Sequence, residues 1–168
     1  MSSANNLRTF EDLEAWKACR AVRVFVAKEV CPLLPPDERF LLRSQLIDAA
    51  RSTTANIAEG WGRYHYLDNA KFCRIARGSL MEVLDHLITA NDEGMITPEC
   101  LEKGRELIGN AAPILNGYIR YLSAAAKTDR LKEDPIPYGK NRDRIDAEFF
   151  SDVDAAIFEA QEGVTPDK

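Results

Sequence analysis

Leu42-Arg43-Ser44-Gln45-Leu46-Ile47-Asp48-Ala49-Ala50-Arg51-Ser52-Thr53-Thr54-Ala55-Asn56-Ile57-Ala58-Glu59-Gly60 is the stretch on which the fold turns. Leu42, Leu46, Ala49, Thr53, Ile57 and Gly60 recur at steps of three and four, so they line one face of a 3.6-residue helix. Pro36-Asp37-Glu38 supplies acidic residues suited to the helix N-terminus, and Gly60-Trp61-Gly62 closes it.

The same period appears on either side. Before it, Thr9 is a plausible N-cap with Asp12 three residues on, and Ala15, Ala18, Cys19, Val22, Phe25, Val26 and Val30 form an apolar stripe that ends at Pro32, Pro35 and Pro36. After it, a helix from about Asp68 repeats Phe72, Ile75, Ala76, Ser79, Leu80, Val83, Leu87 and Ala90 and stops at Gly94. A fourth, with Thr97 as N-cap and Pro98 at its first position, repeats Leu101, Gly104, Ile108, Ala111, Leu115, Tyr118 and Leu122. No segment alternates with period two, so the chain reads as all-α. Short connections favour an antiparallel up-down-up-down four-helix bundle over residues 8–128. Small or polar Ala49, Thr53, Asn56, Gly78 and Ser79 predict a close approach of the second and third helices, and Pro113 predicts a bend in the fourth.

Beyond Thr128 the composition changes. Residues 129–144 carry charge around Pro135-Ile136-Pro137-Tyr138-Gly139 and read as a linker. At 145–161, Ile145, Phe149, Val153, Ala156, Ile157 and Ala160 share one face of an amphipathic C-terminal helix. Two roles fit this acidic tail of 129–168: an arm that occupies basic residues of the body and competes with an anionic ligand for them, or a helix that only adds stability.

Of 168 residues, 22 are Lys or Arg and 27 are Asp or Glu, a net charge of -5. All of that excess lies in residues 129–168, with 6 basic groups against 11 acidic ones; residues 1–128 hold 16 of each. Within residues 15–81 there are 11 basic groups and six acidic ones, net +5. No apolar run approaches the ~18 residues of a membrane span. The opening Met1-Ser2-Ser3-Ala4-Asn5-Asn6 has no export-signal pattern, so a cytoplasmic protein is expected. Cys19, Cys31, Cys73 and Cys100 stand singly, without zinc-site or disulfide-scaffold spacing.

Five strings occur in order: Phe10-Glu11-Asp12-Leu13-Glu14-Ala15-Trp16, Ser44-Gln45-Leu46, Asn56-Ile57-Ala58-Glu59-Gly60-Trp61-Gly62-Arg63, Ile75-Ala76-Arg77-Gly78-Ser79-Leu80-Met81-Glu82 and Leu115-Asn116-Gly117-Tyr118-Ile119. Together they resemble the four-helix-bundle family of 23S rRNA intervening-sequence proteins, over about residues 8–124. The accessory variability determinant of diversity-generating retroelements is a more distant relative. The resemblance implies a homopentameric ring and, for the retroelement branch, binding of reverse transcriptase and RNA. For the intervening-sequence branch it implies no established activity. Pro113 and the acidic tail depart from the family pattern.

Arg63, Tyr64, His65 and Tyr66, followed by Lys71, Arg74 and Arg77, mix cations and aromatic rings in a turn and its adjoining helix. Such a mixture suits single-stranded RNA, since cations neutralise phosphates and rings stack on bases. It is equally a solvated helix face. Lys17, Arg20 and Lys28 make a second basic line with the same ambiguity. Asn56, Glu59, Arg77, Ser79 and Glu82 lie near the small-residue seam, as a ligand or RNA-backbone site or as a polar network that fixes helix register. Trp16, Phe40, Leu41, Ile88 and Ile119 lie off the inner stripes and point to subunit contacts. His65 and His86 belong to no metal-binding motif, and Glu82, Asp85 and His86 on one turn do not make a metal site. No cofactor, metal ligand or catalytic residue is expected. The sequence therefore leads to a non-enzymatic RNA-binding accessory protein acting as a ring, with a protein-interaction scaffold, its partner a reverse transcriptase or another enzyme, as the competing expectation.

Overall fold

The computed structural model describes residues 9–63 and 65–132, with side chains described as far as 128. Tyr64, the expected helix at 145–161 and the expected linker beyond Lys132 lie outside the described residues. Four α-helices carry the fold: α1 (Glu14–Phe25), α2 (Leu42–Trp61), α3 (Tyr66–Asp92) and α4 (Pro98–Lys132). No strand occurs among the described residues. α4 continues over the first residues of the segment expected to be a linker.

The helix ends follow from local chemistry. Thr9 caps a 3-10 turn, Phe10–Asp12, where its backbone N–H donates to the Asp12 carboxylate at 3.2 Å, and α1 begins only at Glu14. At its far end α1 widens into a π-helical turn, Val26–Val30, where the Cys31 N–H reaches the Val26 carbonyl at 2.9 Å. Pro32, which has no N–H, follows at once. Asp37 and Glu38 belong to a separate 3-10 turn, Pro36–Phe40, and not to the first turn of α2. Glu38 still caps that helix, because its carboxylate accepts the Leu42 N–H at 3.0 Å. Gly94, at φ +73°, ends α3 in the left-handed conformation that glycine adopts without strain. The Thr97 hydroxyl accepts the Cys100 N–H at 3.3 Å, and Pro98 opens α4, which runs through Pro113.

All four helices contribute to one apolar core, in which Val22, Leu46, Ile57, Leu80, Leu87 and Leu115 are fully buried. Each such side chain contributes about 1.5–3 kcal/mol by leaving water. The small-residue seam brings α2 and α3 together: Ala49, Thr53 and Ser79 are buried with Ala76, and the Ser52 and Ser79 hydroxyls lie 2.8 Å apart, whereas Asn56 is half-buried and Gly78, expected in the seam, is exposed with nothing within 4 Å of a Cβ there. Gly104 gives a second close approach, since a Cβ there would stand 2.6 Å from Leu87 Cδ1 and 3.2 Å from Phe25 Cε1.

Some expected faces shift. Ile75 is 45% exposed although periodicity placed it inside, and Ile119, expected outside, is buried. Trp16 and Ile88 pack partly buried against the core, whereas Phe40 and Leu41 are exposed at 82% and 58%. A helical stripe is wide enough that one neighbouring helix more or less decides such border positions.

Candidate nucleic-acid interface

The α2–α3 turn is held tightly. Gly60 is buried where any Cβ would meet Asn69 Oδ1 at 2.8 Å, Phe72 Cβ at 3.0 Å and the Asn69 carbonyl at 3.1 Å, so only glycine lets the end of α2 lie this close to the start of α3. The Arg63 N–H returns to the Gly60 carbonyl at 3.1 Å, and the His65 carbonyl accepts the Asn69 N–H at 3.1 Å as α3 begins.

On this frame Arg63 is fixed twice. Its guanidinium lies 4.7 Å from the Phe72 ring centroid, and Nη2 donates to Glu59 Oε1 at 2.6 Å. Arg63, Tyr66, Trp61, Asn69, Tyr118 and Tyr121 line a surface depression of about 270 Å³. The Tyr118 and Tyr121 rings stack with centroids 6.3 Å apart and planes 14° from parallel, and Tyr121 is 61% exposed. Asn69 Nδ2 donates to the Tyr118 hydroxyl at 3.1 Å, and the Cys73 thiol donates to Asn69 Oδ1 at 3.4 Å. Burial pushes the Tyr118 phenol up to about 12, with the Asn69 bond opposing the rise.

Farther along α3 the cations lean toward α4. Arg74 Nη2 donates to the Ser123 hydroxyl at 3.2 Å, and Arg77 Nη1 to Asn116 Oδ1 at 3.2 Å. These bonds orient two exposed guanidiniums while leaving further donors for a phosphate. Lys71 is exposed one turn before Arg74, and His65 is exposed beside Tyr66. Arg63, His65, Tyr66, Lys71, Arg74 and Arg77 therefore occupy the turn and the first half of α3. Lys17 and Arg20 stand on α1, where Lys17 pairs with Glu14 at 2.8 Å and Arg20 is exposed.

The five residues of the expected polar network do not come together. Asn56 donates to the Ser52 carbonyl and hydroxyl at 2.8 and 2.9 Å, and through Ser52 it joins Ser79. Glu59 pairs with Arg63 one turn later. Arg77 turns to α4, and Glu82 lies 3.9 Å from His86 Nε2, too far for a hydrogen bond. Sequence reasoning missed the α4 side of this surface, Asn116, Tyr121 and Ser123, because nothing local in that helix marks it as facing Arg74 and Arg77.

The reactive groups are muted. Burial pushes the Cys19 and Cys73 thiols up to about 12, which keeps them protonated and poorly nucleophilic at neutral pH. Among the described residues no three His, Cys, Asp or Glu side chains are placed to hold a metal ion, and no helix is long and apolar enough to cross a membrane.

What these observations define is a helical-bundle-like protein with a cationic and aromatic surface at one helix turn. A sequence model of the 23S rRNA-intervening sequence proteins matches residues 11–117, more than half of the chain, and the chain belongs to that family. Comparison with curated proteins gives no match.

Proposed function

We propose that this is a non-enzymatic RNA-binding accessory protein of the cytoplasm that acts as a homo-oligomeric ring of antiparallel, up-down-up-down four-helix bundles. The observation that carries the reading is the surface where Arg63 is held over Phe72, Arg74 and Arg77 are oriented by α4, and the Tyr121 ring is exposed beside them. Oriented cations beside an exposed ring match a single strand, whose phosphates and unstacked bases they contact together. The family description, which names an rRNA sequence, supports a nucleic-acid role. The short connection between α3, which ends at Asp92, and α4, which begins at Pro98, together with three hydrogen bonds between the two helices, supports an antiparallel α3–α4 pair.

The ring, pentameric by resemblance, is supported by the exposed Phe40 and Leu41. Repetition of the patch in each subunit multiplies modest contacts. Titration of the full chain with single-stranded RNA at low salt tests the function: salt-sensitive binding supports it, and no binding at tens of micromolar, weaker than ordinary non-specific association, overturns it. A monomer mass by light scattering would refute the ring.

The same exposed apolar residues favour a second reading, a scaffold for a protein partner such as the reverse transcriptase that the retroelement resemblance implies. Under that reading the protein captures its partner with RNA removed, and substitution of Arg74 and Arg77 by Gln leaves capture intact.

A further inference from the structure

A second cationic surface lies away from the α2–α3 turn. The prolyl connection after α1 and the first half of α2 enclose a groove of about 860 Å³, with Arg39, Arg43 and Arg51 on its walls against a single carboxylate, Asp48. A smaller depression of about 420 Å³ adjoins it, shares Arg43, Ile47 and Arg51, and adds Arg23 and Lys28 from the α1 side. Five cations thus border one continuous trough.

Their placement is ordered. Arg43 and Arg51 stand two turns apart on α2, about 12 Å along the axis at 1.5 Å per residue. Arg39 is anchored with its guanidinium 5.3 Å from the Phe40 ring, and Arg23 donates to the Thr54 hydroxyl at 2.8 Å. Most of the remaining lining residues are apolar, Pro32, Leu33, Pro36 and Ile47 among them, and Ser44 adds a hydroxyl. Cys31 lines the smaller depression, where burial raises its thiol pKa while Arg43, through charge and a hydrogen bond, and Arg51, through charge, act against the rise.

We propose that this trough is a second nucleic-acid site, which takes the phosphodiester backbone of a single-stranded segment along Arg39, Arg43 and Arg51 and sets its bases against the prolyl and leucyl wall. Guanidiniums in a row meet successive phosphates, and apolar walls accept base faces of any sequence. A compact anion fits less well, because Arg39, Arg43 and Arg51 come from the 3-10 turn and from two positions spread along α2, a spacing suited to an extended chain. The ligand class rests on the RNA reading above, but the surface is a different one, on α1 and α2.

The test uses the full chain and a labelled single-stranded oligouridylate. Arg39→Gln/Arg51→Gln changes two exposed side chains and is expected to weaken binding about tenfold or more at low salt, with an unchanged helical circular-dichroism spectrum. Arg74→Gln/Arg77→Gln is run in parallel. If only the first variant loses affinity, the trough stands and the α3–α4 patch fails; if only the second does, the trough fails and the patch stands. A measurement on the unaltered protein removes any folding ambiguity: 4-thiouridine RNA should crosslink to the peptide spanning residues 32–51. Absence of that crosslink, or pyrophosphate competing at the same concentration as the oligonucleotide, overturns the proposal, the latter by showing a compact phosphate site.

Discussion

The Asn69 amide on α3 donates to the Tyr118 hydroxyl on α4 at 3.1 Å, and this bond ties the rim of the aromatic depression to the helix pair beneath it. Tyr118→Phe removes the acceptor while keeping the ring. The expected cost is about 1 kcal/mol, read as a lower denaturant midpoint with an unchanged slope.

The same phenol and two buried thiols make the fold sensitive to alkali. Tyr118 rises from an ordinary 10.0, and Cys19 and Cys73 from 9.0, all to about 12. A raised pKa in the folded state means that the folded chain holds its proton longer than the unfolded one. The stability from these groups is complete below pH 9.0 and is lost as pH rises toward about 12. Denaturant midpoints should be insensitive to these groups up to about pH 9 and fall steeply above it. A Cys19→Ala/Cys73→Ala variant should lose part of that slope.

Two glycines in similar helical settings should respond with opposite signs. At Gly60 a methyl group meets Asn69 and Phe72, so Gly60→Ala should cost about 1–3 kcal/mol through overpacking. At Gly78 nothing lies within 4 Å, so Gly78→Ala should stabilise by about 0.5–1 kcal/mol through lower unfolded-chain entropy. Thermal unfolding of the two variants checks the contrast: a gain at Gly60 would contradict the packing described there, and a loss at Gly78 would contradict the open space around it.

Tyr121 is 61% exposed, so its removal should leave the fold intact. If it stacks on a base, Tyr121→Ala should cost about 1–3 kcal/mol of RNA affinity, and Tyr121→Phe should retain most of it.

The helices were legible because apolar steps of three and four leave little choice about which face turns inward. Val22, Leu46, Ile57, Leu80 and Leu115 all fell where periodicity put them. What spacing along one helix does not encode is which neighbour a side chain meets. Arg77 was expected to face the α2 seam and instead reaches Asn116, 39 residues away. Glu59 was assigned across the seam, yet Arg63 one turn later is nearer and satisfies it. Tyr121 was invisible as part of a surface because its neighbours Arg63 and Tyr66 are distant in the chain. Glu38 was rightly seen as an N-terminal acid, but its action from a separate turn depends on the break at Leu41.

The central claim is that the oriented arginines at the α2–α3 turn and on α3 contact RNA phosphates. Its most direct test is the dependence of single-stranded RNA affinity on salt, for the unaltered chain and for Arg63→Gln/Arg74→Gln/Arg77→Gln. With each phosphate contact worth about 0.7 in the log–log slope for single strands, loss of three contacts should flatten the slope by about 2 and weaken binding at low salt. An unchanged slope and affinity in a folded triple variant would contradict the account.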